Sequence, residues 1–203
     1  MKIALIGASG NVGSRIVDEA LRRGHNLVAI ARDAGKIAQR TGVTVVAADV
    51  KDATSLASAI KGADVVVSSG RFTSFGAADL LPAVKAAGVK RLAIVGGAGS
   101  LEIAPGKALI DTPEFPEEYK PEAAGGRDFL NVLRGEQELE WSFLSPSALF
   151  IAGERTGQFR LGQDQLLVGA DGKSWISYED FAVALLDELE QPKHVRARFT
   201  VGY

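Results

Sequence analysis

Short apolar runs rich in valine and isoleucine recur along the chain, and segments with helical periodicity separate them. The runs are continuous rather than alternating, which is typical of parallel strands that are buried on both faces of a sheet. They predict strands at residues 2–6, 27–32, 43–47, 64–68, 91–95 and 141–144.

Three of the intervening segments place apolar residues on one face of a helix. The three stripes consist of Val12, Ile16 and Ala20, of Leu80, Val84 and Ala87, and of Phe181, Leu185 and Leu189. Alternating strands and helices predict an α/β fold with a doubly wound parallel sheet and right-handed crossovers. We expect one domain over residues 1–203, with a small C-terminal portion on the substrate side.

The segment of residues 105–121 interrupts this alternation, because it contains four of the seven prolines. Proline removes a backbone donor and clashes inside a helix, so this segment cannot form one regular helix. Long loops within compact domains often have a function. We expect either a loop beside a substrate site or a mobile connection.

Composition narrows the possible functions. The formal net charge of -2 gives no electrostatic basis for binding nucleic acid or an anionic membrane surface. The chain has no cysteine, and its histidines, His25 and His194, lack metal-site spacing, so we expect no metal. No apolar stretch approaches the roughly 20 residues that span a bilayer, and no signal-peptide cleavage site follows the N-terminal run. These features predict a cytoplasmic protein.

The glycine-rich stretch "GASGNVG", residues 7–13, lies between the first predicted strand and the first predicted helix. Unpaired amides and the helix dipole favour an anion at a helix start, and missing side chains let a diphosphate approach the backbone. This context predicts a dinucleotide site, with a ligand-free glycine turn as the alternative. The expected contacts are Gly7, Ser9, Gly10, Asn11, Val12 and Gly13.

The glycine spacing is G-x-x-G-x-x-G rather than G-x-G-x-x-G, and in this the chain resembles the extended and atypical short-chain dehydrogenase/reductase superfamily. The resemblance covers nearly the whole chain. It is greatest to the small NAD(P)H-binding proteins often labelled NADH-flavin reductases, with the NmrA-like and biliverdin reductase B groups as close relatives. It implies an NAD(P)-binding Rossmann fold.

The end of the second strand bears on which cofactor is bound. An NAD site usually places a carboxylate there, whereas this chain has Arg32 followed by Asp33. A guanidinium suits the 2′-phosphate of NADP through charge-assisted hydrogen bonds. We therefore expect NADP(H), with NAD possible because Asp33 could still reach the ribose. An exposed strand-end charge is the alternative for Arg32.

Further cofactor contacts follow the third and fourth strands. In proteins that this chain resembles, the pair corresponding to Asp49 and Val50 lies against the adenine, although Asp49 could simply form a turn. Ser68, Ser69 and Gly70 end the fourth strand at the carboxyl edge of the sheet, where ligands bind. We expect them beside the diphosphate and the nicotinamide ribose.

Two more expected contacts follow the fifth and sixth strands. Gly96 begins a glycine-rich floor, and Pro146 closes the sixth strand. The resemblance implies that a proline at this position packs near the nicotinamide. A proline that merely ends a strand is the alternative.

The residues that could supply chemistry are few. Many members of the superfamily use a Tyr-x-x-x-Lys pair to polarise a carbonyl and to deliver a proton. No tyrosine in this chain is followed by lysine at that spacing. Ser100 is the best-placed hydroxyl, with a turn or helix-cap serine as the alternative, and Tyr119 is a weaker candidate.

Hydride transfer to a flavin, a quinone or a similar planar acceptor needs mainly proximity and orientation. The first hypothesis is therefore an NADPH-dependent oxidoreductase with such a small-molecule acceptor. The second is a non-catalytic redox sensor of the NmrA type, which binds NADP(H) and contacts a partner. An epimerase or lyase with tightly held NAD is hard to support without an acid–base pair.

Overall fold

The computed structural model describes all 203 residues, and its elements alternate between strands and helices. In chain order these are β1 (Lys2–Ile6), α1 (Asn11–Arg22), β2 (Asn26–Ala31), β3 (Val43–Ala47), α2 (Ala53–Ile60), β4 (Val65–Ser68), α3 (Ala77–Ala86), β5 (Arg91–Val95), β6 (Glu102–Ala104), β7 (Lys107–Ala108), α4 (Lys120–Arg134), β8 (Glu140–Ser145), β9 (Leu149–Ile151), β10 (Arg160–Gly162), β11 (Trp175–Ser177), α5 (Tyr178–Glu190) and β12 (Ala197–Gly202).

The central sheet has eight strands in the order β10-β12-β8-β5-β4-β1-β2-β3. Neighbouring strands are parallel throughout, except that β10 pairs antiparallel with β12. The strand order reverses between β1 and β4, and ligands of doubly wound folds bind at the carboxyl edge beside such a reversal. The predicted fold class, an α/β doubly wound parallel sheet of the Rossmann type, is confirmed.

Helices cover both faces of the sheet, which explains why the strands are apolar without alternation. On one face α1 and α5 pack side by side, and Ile16, Phe181 and Leu185 are fully buried there. On the other face α2, α3 and α4 bury residues such as Leu56 and Leu80. None of these helices combines the length and apolar character needed to cross a bilayer.

The predicted elements agree closely with those observed. Three predicted strands, 2–6, 43–47 and 91–95, have the observed bounds; strand 64–68 differs by one residue at one end, and strands 27–32 and 141–144 differ by one residue at both ends. The three predicted apolar stripes lie on α1, α3 and α5, except that Ala87 is the residue that follows α3. Two helices, α2 and α4, and six strands, β6, β7 and β9 to β12, were not predicted.

Residues 105–121 do not form one regular helix, which agrees with the prediction from their prolines. This segment contains β7, which pairs antiparallel with β6, and 3-10 turns at Leu109–Asp111 and Glu117–Tyr119. Pro121 lies in the first turn of α4, where the missing N–H group removes no helical hydrogen bond. The segment therefore leads directly into a helix.

Candidate functional site

A cleft of about 540 Å³ opens at the carboxyl edge of the sheet, beside the reversal of strand order. The loops that follow β1, β2, β3 and β4 line it. Among the residues expected to bind a cofactor, those that line the cleft are Gly7, Ser9, Gly10, Arg32, Asp49, Val50, Ser69 and Gly70. The structure thus brings together predicted residues from four separate loops.

The glycine loop packs closely against its neighbours. Gly7 has a φ of +81°, in the left-handed region that favours glycine, and a Cβ there would lie 2.6 Å from the carbonyl oxygen of Ser69. Gly10 N donates to Gly7 O at 3.0 Å, which closes the turn. A Cβ at Gly13 would overlap the carbonyl oxygen of Gly7. Gly13 therefore allows α1 to approach the loop, and it does not itself line the cleft.

Helix α1 begins without a side-chain cap. Its N-cap residue is Gly10, and its first turn contains no acidic residue. By contrast, the carboxylate of Asp52 caps α2 and the hydroxyl of Ser177 caps α5. The amides of residues 11–13 have no acceptor within the chain. This helix start therefore suits an anion in the cleft.

The end of β2 presents a free cation to the cleft. Arg32 is exposed, and its side chain forms neither an ion pair nor a hydrogen bond within the chain. The carboxylate of Asp33 accepts a hydrogen bond from Gly35 N at 3.1 Å and begins a 3-10 turn. Lys36 Nζ lies 3.6 Å from the same carboxylate. The guanidinium is therefore available to an anionic ligand, whereas the carboxylate is engaged by its own turn.

Asp49 and Val50, which follow β3, both line the cleft. Val50 is buried and Asp49 is exposed. Asp49 Oδ1 accepts a hydrogen bond from Lys51 N at 3.0 Å, so this aspartate shapes a turn, as its alternative interpretation predicts. Asp49 Oδ2 has no partner within the chain, which leaves one oxygen for a ligand.

Beyond the expected Ser69 and Gly70, further residues of the loop after β4 line the cleft, and the sequence did not predict these. Arg71, Thr73, Ser74 and Phe75 contribute to the wall. The ring of Phe75 lies so close to Gly70 that a Cβ there would overlap it. The signal was available in "GRFTSFG", because a cationic and aromatic stretch that directly follows a strand must lie at the carboxyl edge.

Several expected cofactor contacts lie outside the lining of this cleft. Gly96 and Pro146 end the neighbouring strands β5 and β8 at the same edge, and a Cβ at Gly96 would overlap the ring of Phe143. The other expected contacts outside the lining are Asn11, Val12, Gly13 and Ser68. Their proposed cofactor contacts stay predictions.

The two candidate catalytic residues also lie outside the cleft lining. Arg198 Nη1 lies 3.4 Å from the hydroxyl of Ser100, and the same guanidinium donates to Asp164 at 2.7 Å through Nε. Tyr119 ends a 3-10 turn with 61% of its surface exposed, and its hydroxyl has no hydrogen-bond partner within the chain. No hydrogen bond joins these two residues, and their catalytic role stays a prediction.

Comparison with known proteins places the site in a family context. A family model described as NAD(P)H-binding matches residues 7–192, beginning at the first glycine of the loop. The uncharacterised protein YwnB of Bacillus subtilis is 44% identical over 216 aligned positions, which cover 99% of this chain and 98% of that protein. The similarity therefore extends over nearly the whole length of both chains.

Two solved structures are similar over the whole chain. A Bacteroides thetaiotaomicron protein, provisionally named an epimerase, has a TM-score of 0.94 at 44% identity, covering 100% of this chain and 96% of that one. A Streptococcus pneumoniae protein, provisionally named an NADH-flavin reductase, has a TM-score of 0.84 at 34% identity, covering 100% and 99%. The predicted resemblance to NAD(P)-binding Rossmann proteins, including flavin reductase-like ones, is confirmed.

Proposed function

Because the chain belongs to the NAD(P)H-binding family, we propose that it is an NADPH-dependent reductase that passes hydride to a flavin, a quinone or a similar planar acceptor. The observation that carries the preference for NADPH is the free Arg32 guanidinium beside an aspartate that is engaged elsewhere. A carboxylate that hydrogen-bonds the ribose would instead favour NADH.

Different groups of the chain would bind different parts of the cofactor. The unpaired amides of residues 11–13 would bind the diphosphate, and Arg32 would bind the 2′-phosphate. Val50 and Phe75 offer apolar surface to the adenine. When bound, the nicotinamide supplies the hydride, and the protein contributes orientation.

The chemistry of the residues favours an acceptor that needs no protein acid during hydride transfer. Neither Ser100 nor Tyr119 lines the cleft, so the proposal does not depend on either residue protonating a carbonyl there. A flavin or quinone accepts hydride readily and can take its proton from water. The name of the Streptococcus pneumoniae protein supports the same acceptor class. A cytoplasmic location fits this proposal, since the reaction needs a continuous supply of reduced cofactor.

Replacing Arg32 with alanine tests the cofactor assignment. We expect Arg32→Ala to weaken NADPH binding by about 1.5–3 kcal/mol, the scale of a charged hydrogen bond, and to affect NADH far less. Titration calorimetry with both cofactors measures the difference. Arg40→Ala is the matched control, because Arg40 is an exposed arginine that pairs with Asp18 outside the cleft. Equal losses for both cofactors in Arg32→Ala would contradict the assignment.

Turnover separates the reductase from a sensor. NADPH oxidation by the purified protein is measured against a panel of flavins and quinones, with NADH in parallel. Saturable turnover that Arg32→Ala reduces would support the reductase. Tight NADPH binding without turnover on any acceptor would favour a non-catalytic sensor of NADP(H).

A further inference from the structure

The loop of residues 71–75 forms one wall of the cleft. Helix α4 contacts this loop from the side opposite the cleft and holds it in place. Four of its five residues line the cleft, and the fifth, Phe72, points away from it into the protein. Within the loop, Ser74 N donates to Arg71 O at 3.0 Å. The remaining polar contacts of its backbone amides are made with α4.

Glu122, in the first turn of α4, fixes this loop through three hydrogen bonds. Its carboxylate accepts from Phe72 N at 2.7 Å, from Thr73 N at 3.0 Å and from Thr73 Oγ1 at 2.8 Å. Arg71 Nε lies 3.7 Å from the same carboxylate, a loose contact of an exposed side chain. The carboxylate thus binds the loop by its backbone and leaves Arg71 largely free.

Phe72 gives the loop an apolar anchor on α4 and on the neighbouring strand β8. Its ring is stacked on Phe143 with 6.1 Å between centroids and is tilted against Phe129 at 5.5 Å. A Cβ on Gly125 or Gly126 would lie 3.0 Å or 3.1 Å from Phe72, so this pair of glycines in α4 makes room for the ring. The loop is therefore seated on α4 by both an aromatic and a polar contact.

The loop carries a second cation on the opposite side of the glycine loop from Arg32. Gly7 packs on the backbone of Ser69 and Gly70, so the chain leaves β4 directly beside the glycine loop. Arg71 is the next residue, and 77% of its side chain is exposed. Arg32 follows β2, on the other side of β1 in the sheet.

We propose that Glu122 is a positioning residue of the cofactor site, which holds the loop so that Arg71 binds the diphosphate and Phe75 covers the adenine. The inference rests on the proposed function and extends it to residues outside the glycine loop. The diphosphate is common to NADPH and NADH, whereas the 2′-phosphate assigned to Arg32 occurs in NADPH alone. The two arginines therefore have different effects on cofactor selectivity.

The test compares the affinity of both cofactors for three variants. We expect Glu122→Gln to weaken NADPH and NADH binding by the same factor, about five- to tenfold, the scale of one hydrogen bond. Arg71→Ala should also weaken both equally, in contrast to Arg32→Ala. Glu118→Gln is the matched control. Glu118 lies four residues before Glu122, and its carboxylate is exposed and makes no contact with the loop.

Whether Glu122→Gln weakens or strengthens cofactor binding distinguishes a positioning role of Glu122 from a purely electrostatic effect of its charge. Removing a negative charge beside Arg71 would by itself strengthen the binding of an anion. Glu122→Asp keeps the charge but shortens the side chain, so it should also weaken binding if the hydrogen bonds to the loop matter. Tighter or unchanged binding in Glu122→Gln would overturn the proposal.

Amide hydrogen exchange in the protein without cofactor gives a second readout. We expect the amides of Phe72 and Thr73 to exchange at least about tenfold faster in Glu122→Gln, because they lose a carboxylate acceptor. Unchanged exchange at these amides would overturn the role of Glu122. If the wild-type protein binds neither cofactor, the proposed function fails and this inference fails with it. If it binds NADPH and Glu122→Gln binds equally well, only this inference fails.

Discussion

Gly13→Ala is expected to weaken NADPH binding by at least about 100-fold, the combined effect of several lost hydrogen bonds to a charged group. The added Cβ would overlap the carbonyl oxygen of Gly7, so α1 and the glycine loop must separate. That shift displaces the unpaired amides at the start of α1 from the diphosphate. Overpacking of this kind lowers the free energy of unfolding by about 1–3 kcal/mol, so the variant should still fold.

Calorimetric titration and thermal unfolding of the same samples check both parts of this prediction. Gly135→Ala is the matched control, because Gly135 has a φ of -87° and a Cβ there would meet its nearest atom at 3.5 Å, an ordinary contact. It should change neither cofactor affinity nor stability appreciably. Wild-type affinity in Gly13→Ala would show that the start of α1 does not bind the cofactor.

Glu188→Gln is expected to lower the free energy of unfolding by about 3–5 kcal/mol, the usual effect of removing one partner of a buried ion pair. Glu188 lies near the end of α5 with 4% of its surface exposed, and it accepts from Arg91 Nη2 at 3.1 Å. Arg91 is itself buried, and its Nε has no partner within the chain. The substitution would leave that guanidinium without its buried counter-charge.

The pH dependence of this difference provides an independent check. Burial alone would raise the pKa of the Glu188 carboxyl, but hydrogen bonds from the backbone and ring of His194 outweigh it and hold the pKa below its usual value. A depressed pKa stabilises the fold above the unfolded carboxyl pKa of about 4.3, and that stabilisation is lost as the pH falls through the folded pKa. The stability gap between wild type and Glu188→Gln should therefore narrow in acid.

Denaturant unfolding at neutral and acidic pH measures this gap. Glu190→Gln is the control, because this neighbouring carboxylate is one-third exposed and its ion pairs contribute less than about 1 kcal/mol. NADPH affinity should not change in either variant, since neither residue lines the cleft. A gap that is constant with pH would contradict the role of the Glu188 charge.

The sequence predicted the parts of the fold whose pattern is local. Strands buried on both faces give continuous apolar runs, and α1, α3 and α5 give clear stripes. Helix α4 was missed because the prolines before it suggested a loop, although Pro121 occupies a position that a helix tolerates. Strand β12 was missed because it contains Arg198, and the burial of that side chain depends on Asp164, which is distant in sequence.

In the candidate site, too, only the residues with a local sequence pattern were predicted. The glycine loop and Arg32 were predicted because a strand, a turn and a helix follow one another in the chain. Phe75 and Arg71 belong to the same cleft, but their placement depends on the contacts of Phe72 and Glu122 with other elements. Spacing along the sequence does not encode such contacts.

Every residue that lines the cleft lies within residues 6–75. Glu122, whose carboxylate accepts hydrogen bonds from the loop after β4, lies in the rest of the chain. We therefore expect nucleotide preference to be inherited with the first part of the gene. Recombination that exchanges the remainder would keep that preference. Such an exchange succeeds only if the incoming helix also supplies a carboxylate to the loop after β4.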